Sequence, residues 1–491
     1  MRAFQRNLTN PFYIVLGLPA TAMGLALSVQ IAALSWILTT QYNLDIHDIG
    51  LVWAAGPLAG IFGQVIIGII SDKVWFWNGR RRPFILIGGF VGAISLLSLP
   101  YIGVISSALG FEAIVGVALV VALTLDMAIN ISFNPTRAII ADVTPEGISR
   151  TKGYTWMQTI SGTLSVGGYA IGAIWDNYVL IYVGAFLTFA LAIFPTLLIE
   201  EPRDLAQAEN ESAQTPSTPS LVRLLVTIRP LWGFLLYDAY ALVIRLGGFE
   251  VSHFYVEYLC GALTLVFIAL TVLDKAPSGD AKAANQVEFK KVLAAHSFSW
   301  VGIQTIFVYL VPVLEIRFSG LDAEALGRVS SSSFLVLNAV AAILPVFALE
   351  PMARRIGRIR THALSLIIMS VAFAYGYVAG FSNWQIWVTM LFAGVGWAAI
   401  VSLPFAIMSQ KVDQTQMGLY MGLFNLSVVL PQLLVSLGIG LFVSRVEDKG
   451  IIFMIASISI AISAALWLFV KRSKTHPSDV TASVQTGSGG H

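Results

Sequence analysis

The chain has 491 residues, 57% hydrophobic and 11% charged, with a net charge of +2 and a mean hydropathy of +0.79. A soluble globular protein is about 45–50% apolar and about 25% charged, so a soluble multidomain enzyme is excluded, and so near-neutral a balance argues against a nucleic-acid partner. One cysteine, Cys260, and six histidines with no pair at ligand spacing argue against disulfides and metal centres, which leaves a polytopic membrane protein.

In chain order, residues 1–10 are polar and the first apolar stretch is long, with no small-residue cleavage site before the next span. It reads as a first membrane helix, not a signal peptide. Spanning helices are expected at about 13–39, 48–71, 84–106, 112–140, 150–175 and 178–199, each near the ~20 residues a bilayer requires. Residues 201–220 are polar and rich in Ser, Pro and Glu, a cytoplasmic linker. Two further apolar stretches follow at about 229–247 and 251–273, each again near the ~20-residue span length. A second set of six runs at about 293–316, 327–350, 362–381, 384–409, 417–443 and 451–470, of the same ~20-residue class. The runs are too long for barrel strands, which alternate polar and apolar over about 10 residues.

The expected fold class is all-α: two pseudo-symmetric six-helix bundles with two extra helices between them. The expected domains are an N-terminal bundle over 1–200, the linker and inserted helices over 201–292, a C-terminal bundle over 293–472, and a disordered cytoplasmic tail over 473–491. With the N-terminus inside, the inner loops hold most of the cations, among them Arg80, Arg81, Arg82, Arg150, Arg354, Arg355, Arg358 and Arg360. The outer loops hold Arg317, Arg328, Arg445 and Lys449, so the positive-inside rule sets the orientation.

The halves repeat. Ser71-Asp72-Lys73 followed by Gly79-Arg80-Arg81-Arg82 corresponds to Glu350-Pro351-Met352-Ala353-Arg354-Arg355-Ile356-Gly357-Arg358. Each is an acidic residue closing a helix, then a short loop with Gly-Arg. Parallel halves with a site between them are a transporter plan. This loop resembles the signature loop of the major facilitator superfamily. A narrower likeness is to sucrose–proton symporters of the glycoside–pentoside–hexuronide:cation symporter branch. It is carried by Gly56-Pro57-Leu58-Ala59-Gly60, Arg80-Arg81-Arg82-Pro83-Phe84-Ile85, Leu125-Asp126 with Asn130, Pro135, Arg137-Ala138 and Ala141-Asp142, and Trp156-Met157. Pro404-Phe405-Ala406, Gly422-Leu423-Phe424-Asn425-Leu426 and Pro431-Gln432 extend it to the second half. The resemblance covers the twelve core helices and not residues 201–292. It implies the facilitator fold and proton-coupled sugar uptake.

An ion at the centre of a spanning helix costs about 2.5–3.5 kcal/mol on insertion scales, so each one needs a reason. Asp126 and Arg137 share a face of the fourth span, about 20° apart after three turns and roughly 16 Å apart along the axis. Asn130 and Asn134 lie between them. A structural polar seam is the plain reading; a water-lined path with a protonatable carboxylate and a fixed cation is the functional one. Desolvation raises a carboxylate pKa and a nearby cation lowers it, so a group meeting both in turn can load and release a proton. Asp126 and Arg137 are the proton-coupling candidates.

The substrate-binding candidates are Asn130, Asn134, Trp156, Gln304, Asn425 and Gln432, because amides both donate and accept to sugar hydroxyls and an indole face suits the ring. Asn338 is read as an interhelical hydrogen bond, and Trp53 and Trp300 are weaker ring platforms. Asp72, Arg80, Arg81, Arg82 and Asp142 are candidates for an inner gate, with the arginines also obeying the positive-inside rule. His47 reads as a solvated loop residue. Asp238 and Arg245 share a face of the first inserted helix with no functional reading.

The expected function is secondary active transport, proton-coupled symport of a sucrose- or maltose-like disaccharide or glucoside by alternating access. The alternatives are a sodium-coupled glycoside symporter, which would add carboxylates on the second span, and a non-transporting membrane scaffold or sensor. A drug exporter and a membrane enzyme find no supporting motif. The expected partners are a small-molecule sugar, a proton and the lipid bilayer, with no cofactor and no nucleic acid, and a monomer is expected. Short loops and the absence of a targeting segment point to a bacterial cytoplasmic membrane.

Overall fold

Backbone amides have no water to bond in a lipid core, so apolar segments close their own hydrogen bonds as helices. The computed structural model describes residues 3–61, 70, 74–110, 114–145, 148–202, 221–247, 249, 253–276, 279–379, 382–412 and 417–471. In the N-terminal half the long helices are α1 (Asn10–Thr40), α2 (Ile46–Ile61, with a turn at Ala54), α3 (Arg82–Leu109), α4 (Ile114–Val143), α5 (Ile148–Ile174) and α6 (Asn177–Leu198). The inserted pair is α7 (Trp232–Leu246) and α8 (Tyr255–Leu273). The C-terminal half holds α9 (Ala281–Arg317), α10 (Ala323–Ile356), α11 (Arg358–Val378), α12 (Asn383–Met408), α13 (Met417–Arg445) and α14 (Ile451–Leu468). Among the described residues, 11 helices are long and apolar enough to cross a membrane. The other three are α2, short in its described part, α5, diluted by Ser, Thr and Gly, and α7, with 15 residues.

Aspartates fix several starts. Asp45, Asp176, Asp280 and Asp322 each accept a hydrogen bond from a first-turn amide of α2, α6, α9 and α10, at 2.8, 2.8, 2.9 and 2.7 Å, the usual N-cap device. Asp280 starts α9 well before the expected 293, because AKAANQVEFKK has good helix formers and continues the spanning run. Asp72, most of the linker and the tail from 472 lie outside the described residues.

The two halves repeat one packing scheme. In the first, α1 packs on α5 and α6, and α3 on α4 and α6; in the second, α9 packs on α13 and α14, and α11 on α12 and α14. Small residues permit the close approaches. A Cβ on Gly88 would lie 1.9 Å from Ser132 Oγ of α4, and one on Gly89 would lie 2.3 Å from Ala192 Cβ of α6. The halves meet along two symmetry-related seams, α2 on α13 and α5 on α10, with α1 on α9 between them. The chain is a multi-pass membrane protein.

The hydrogen bonds described between the halves gather at one end of the bundle, opposite the arginine-rich loops, and run from α1 to α9 and α10 and from α10 to α6. Ser35 Oγ donates to Val308 O at 2.8 Å, Trp36 Nε1 to Ala323 O at 2.8 Å, and Ser331 Oγ to Asn177 Oδ1 at 2.6 Å. This far end is therefore shut. The other end is termed the basic end.

Candidate functional site

α4 brings Asp126 to the junction of α1, α2 and α4, where the carboxylate is 7% exposed. Gln30 of α1 donates from Nε2 to Asp126 Oδ2 at 2.9 Å, and Gln30 Oε1 finds no partner among the described residues. Gly56 of α2 lets the chain come close: a Cβ there would sit 3.3 Å from Asp126 Oδ1. Asn130 turns its Nδ2 back onto the Asp126 carbonyl at 2.8 Å. Asp126 thus has a neutral amide for company at a depth where an ionised carboxylate is expensive.

Arg137 is on the same helix but not in the same place. Its side chain is exposed, toward the basic end, with the guanidinium 4.1 Å above the Phe133 ring. The spacing argument put the two on one face; in this conformation burial separates them. Asn130 and Asn134 are half-buried along the stretch between.

In the C-terminal half, Gln432 of α13 donates to Gln304 Oε1 of α9 at 3.2 Å, so these two expected residues are brought together. Asn425 is half-buried, one face-repeat earlier on α13, and Trp156 is half-buried on α5. One turn before Gln304 on α9, Trp300, a weaker ring platform by sequence, joins an aromatic group with Trp397, which the sequence did not single out. Trp397 of α12 meets Trp300 edge-on at 5.9 Å and Phe307 at 5.2 Å, and its Nε1 donates to Asn338 Oδ1 at 3.1 Å. Trp300 in turn donates to His296 Nε2 at 3.0 Å, and His296 stacks on Phe424 at 4.7 Å. Trp300, Trp397 and Asn338 are half-buried: two indoles at right angles, one fixed by a hydrogen bond to His296 and the other by a hydrogen bond to the Asn338 amide. Trp53 is not a ring platform here, since its Nε1 donates to Ser35 Oγ at 2.8 Å within the far-end closure.

At the basic end, Arg80 and Arg81 both reach Asp142 at the end of α4, with contacts of 2.7 and 3.2 Å. These arginines are 3% and 8% exposed. The loop is held by a tight turn in which Trp77 and Asn78 both have positive φ, 49° and 59°, closed by paired backbone bonds between Phe76 and Gly79. The turn points the amides of Arg80, Arg81 and Arg82 at one carboxylate, Glu201, with N···O distances of 2.7–3.1 Å. Gly79 is required, because a Cβ would fall 2.4 Å from Glu201 Oε1. Arg80, Arg81 and Asp142 therefore fasten α3 to α4 within one half, and Glu201, read from the sequence as linker, is an anion in a nest of amides. The other half has a counterpart. Glu288 accepts from Lys291 Nζ at 2.9 Å and from the Lys471 amide, while Lys411 Nζ donates to Lys471 O. Burial pushes the Lys411 ammonium down from its usual range, against the pull of Glu288.

His47 departs from its expected role. It lies in the first turn of α2, half-buried, and its Nδ1 is 2.6 Å from Arg245 Nη2 of α7.

The family model described as Major Facilitator Superfamily matches residues 17–257 and 239–436. The chain is 24% identical over 423 residues to sucrose transport protein SUC4 of Arabidopsis thaliana, covering 79% of this chain and 76% of that one. It is 29% identical over 164 residues to the general alpha-glucoside permease of Schizosaccharomyces pombe, 30% of each chain. Among solved structures, the nucleoside transporter NupG superposes with a TM-score of 0.61 at 14% identity, over 94% of this chain and 100% of the other. These sequence relatives are a plant protein and a fission-yeast protein, so they lend no support to the bacterial membrane expected from the short loops.

Proposed function

Since the chain belongs to the major facilitator superfamily and is a membrane transporter, not an enzyme, we propose that it carries a sugar of the sucrose or maltose class inward together with a proton. The observation that carries this reading is Asp126, a carboxyl group buried against a neutral donor, Gln30. Proton symport needs a group that is neutral while it crosses the occluded state and ionised when it delivers. Gln30 is suited to both forms. Its Nε2 donates to the carboxylate, and its unused Oε1 is the acceptor a protonated carboxyl would need once the amide turns over.

The sugar side rests on the indole pair Trp300 and Trp397, on Trp156 across the seam, and on the amides Asn338, Asn425, Gln304 and Gln432. Rings stack on indole faces, and each amide donates to one hydroxyl and accepts from another. Sucrose and alpha-glucosides are what the relatives' names carry. The chain works in the cell membrane as one molecule, because both halves and both seams are within it, with the basic end in the cytoplasm. The far-end closure is then the inward-facing state, in which Arg137 lies on the inner side of Asp126.

Counterflow in proteoliposomes tests the cargo. Vesicles preloaded with sucrose or maltose should take up the labelled sugar, whereas a panel of mono- and disaccharides giving no exchange and no binding would remove the sugar assignment.

A further inference from the structure

The inserted pair α7–α8 is not a free addition at the rim. It is seated on the α2–α13 seam, in an apolar cluster that joins Ala54 of α2, Tyr237 and Ala241 of α7, Cys260 of α8, and Leu433 and Leu437 of α13. Each half is gripped separately. On the N-terminal side Arg245 donates to His47 Nδ1 at 2.6 Å. An arginine only donates, so that imidazole nitrogen is the acceptor. On the C-terminal side the Tyr237 hydroxyl sits against Gly438, where a Cβ would lie 2.2 Å from it, and Arg445 lies 4.5 Å over the Phe254 ring at the start of α8. Gly438 belongs to a π turn, Val435–Ile439, whose Val435 carbonyl accepts from the Tyr309 hydroxyl at 2.8 Å. Gly50 of α2 fits against that same turn, 2.5 Å from Ser436 O for a Cβ. The symmetry-related α5–α10 seam has no insert, and at the same end it opens into a pocket of about 250 Å³ beside Ala173, Arg328 and Trp387.

We propose that α7–α8 is a brace that holds the far end shut, with Arg245 and His47 as its release point. Opening the far end must part α2 from α13, and a helix pair seated on both cannot follow both. One grip must break; α7 packs more extensively on α13 than on α2, where the Ala54 contact is supplemented by the side-chain hydrogen bond to His47. Breaking it in advance shifts the population toward the far-end-open state. This rests on the alternating-access reading but not on the identity of the cargo, and the test below needs no transport, so the two can fail separately.

The experiment uses full-length detergent-solubilised protein in a Cys260→Ser background. Ser436→Cys reports on the closure, since Ser436 is 1% exposed in the π turn facing α2. Ser463→Cys, at 0% exposed in the α9–α14 contact within one half, reports on unfolding. Adding Arg245→Met should raise the maleimide labelling rate at Ser436→Cys about tenfold, the size of one charge-assisted hydrogen bond, with Ser463→Cys unchanged. His47→Ala, which removes the acceptor instead, should do the same. An unchanged rate at Ser436→Cys in either variant, or a parallel rise at Ser463→Cys, would overturn the brace.

Discussion

The N-terminal half carries a carboxylate and a guanidinium into the membrane, and the C-terminal half faces them with amides, indoles and the His296 imidazole. Asp126 and Arg137 lie on α4, whereas the corresponding interior of α9, α12 and α13 presents Gln304, Gln432, Trp300 and Trp397. Packing does not explain the difference, since both halves use the same helix adjacencies. A buried ion costs several kcal/mol where an amide pair is close to neutral, so charge is kept where it does chemistry. The proposed roles amount to a division of labour, in which one half would handle the proton, the other most of the sugar, and the seam would couple them. That division also separates the cost of mutations, because a change on α4 should damage coupling and a change on α12 should damage affinity.

The largest effect expected is that of Asp126→Asn. It keeps size and the Gln30 contact but removes titration, so uphill sugar accumulation should fall to background while counterflow survives; retained accumulation would turn Asp126 into a structural seam and collapse the contrast between halves. Arg137→Lys keeps the charge and loses the planar fork. Proton-driven uptake should fall about tenfold with little change in counterflow KM, whereas a KM effect alone would move Arg137 to the sugar side. Trp397→Ala sharpens the other half of the comparison. It should raise the KM for the sugar roughly three- to tenfold, as expected for one lost ring platform, and leave the proton-to-sugar ratio intact; Trp156→Ala, across the seam, should follow the same pattern. The smallest effect is topological. A His253→Cys, Cys260→Ser protein should transport normally and react with an impermeant maleimide from outside the cell; labelling only from the cytoplasm would invert the assignment of the basic end.

Much of this was legible in the chain. Long apolar runs separated by polar loops give the helices, because lipid leaves the backbone no other choice, and the pair between the halves was visible as two further runs. Asp126 stood out because a lone carboxylate in such a run is conspicuous. Its partner did not: Gln30 is 96 residues away, and only the packing of α1 on α4 relates them. Glu201 reads as one more acid in a polar linker until the turn at Trp77 and Asn78 aims three amides at it. Trp397 lies in no matched motif, and periodicity cannot tell a wall of the site from a lipid-facing anchor. The π turn at Val435–Ile439 is hidden because a 3.6-residue period continues smoothly on either side. His47 was misread because the inserted helices that half-bury it lie almost 200 residues further on.

The most direct test of the division is simultaneous measurement of sugar and proton flux in proteoliposomes with the membrane potential clamped at zero. With wild-type protein, sucrose or maltose added outside should draw protons inward, in fixed proportion to the sugar. With Asp126→Asn the sugar should still equilibrate and the proton movement should vanish. Sugar-driven proton movement that persists in Asp126→Asn, or sugar entry without protons in the wild type, would contradict the account.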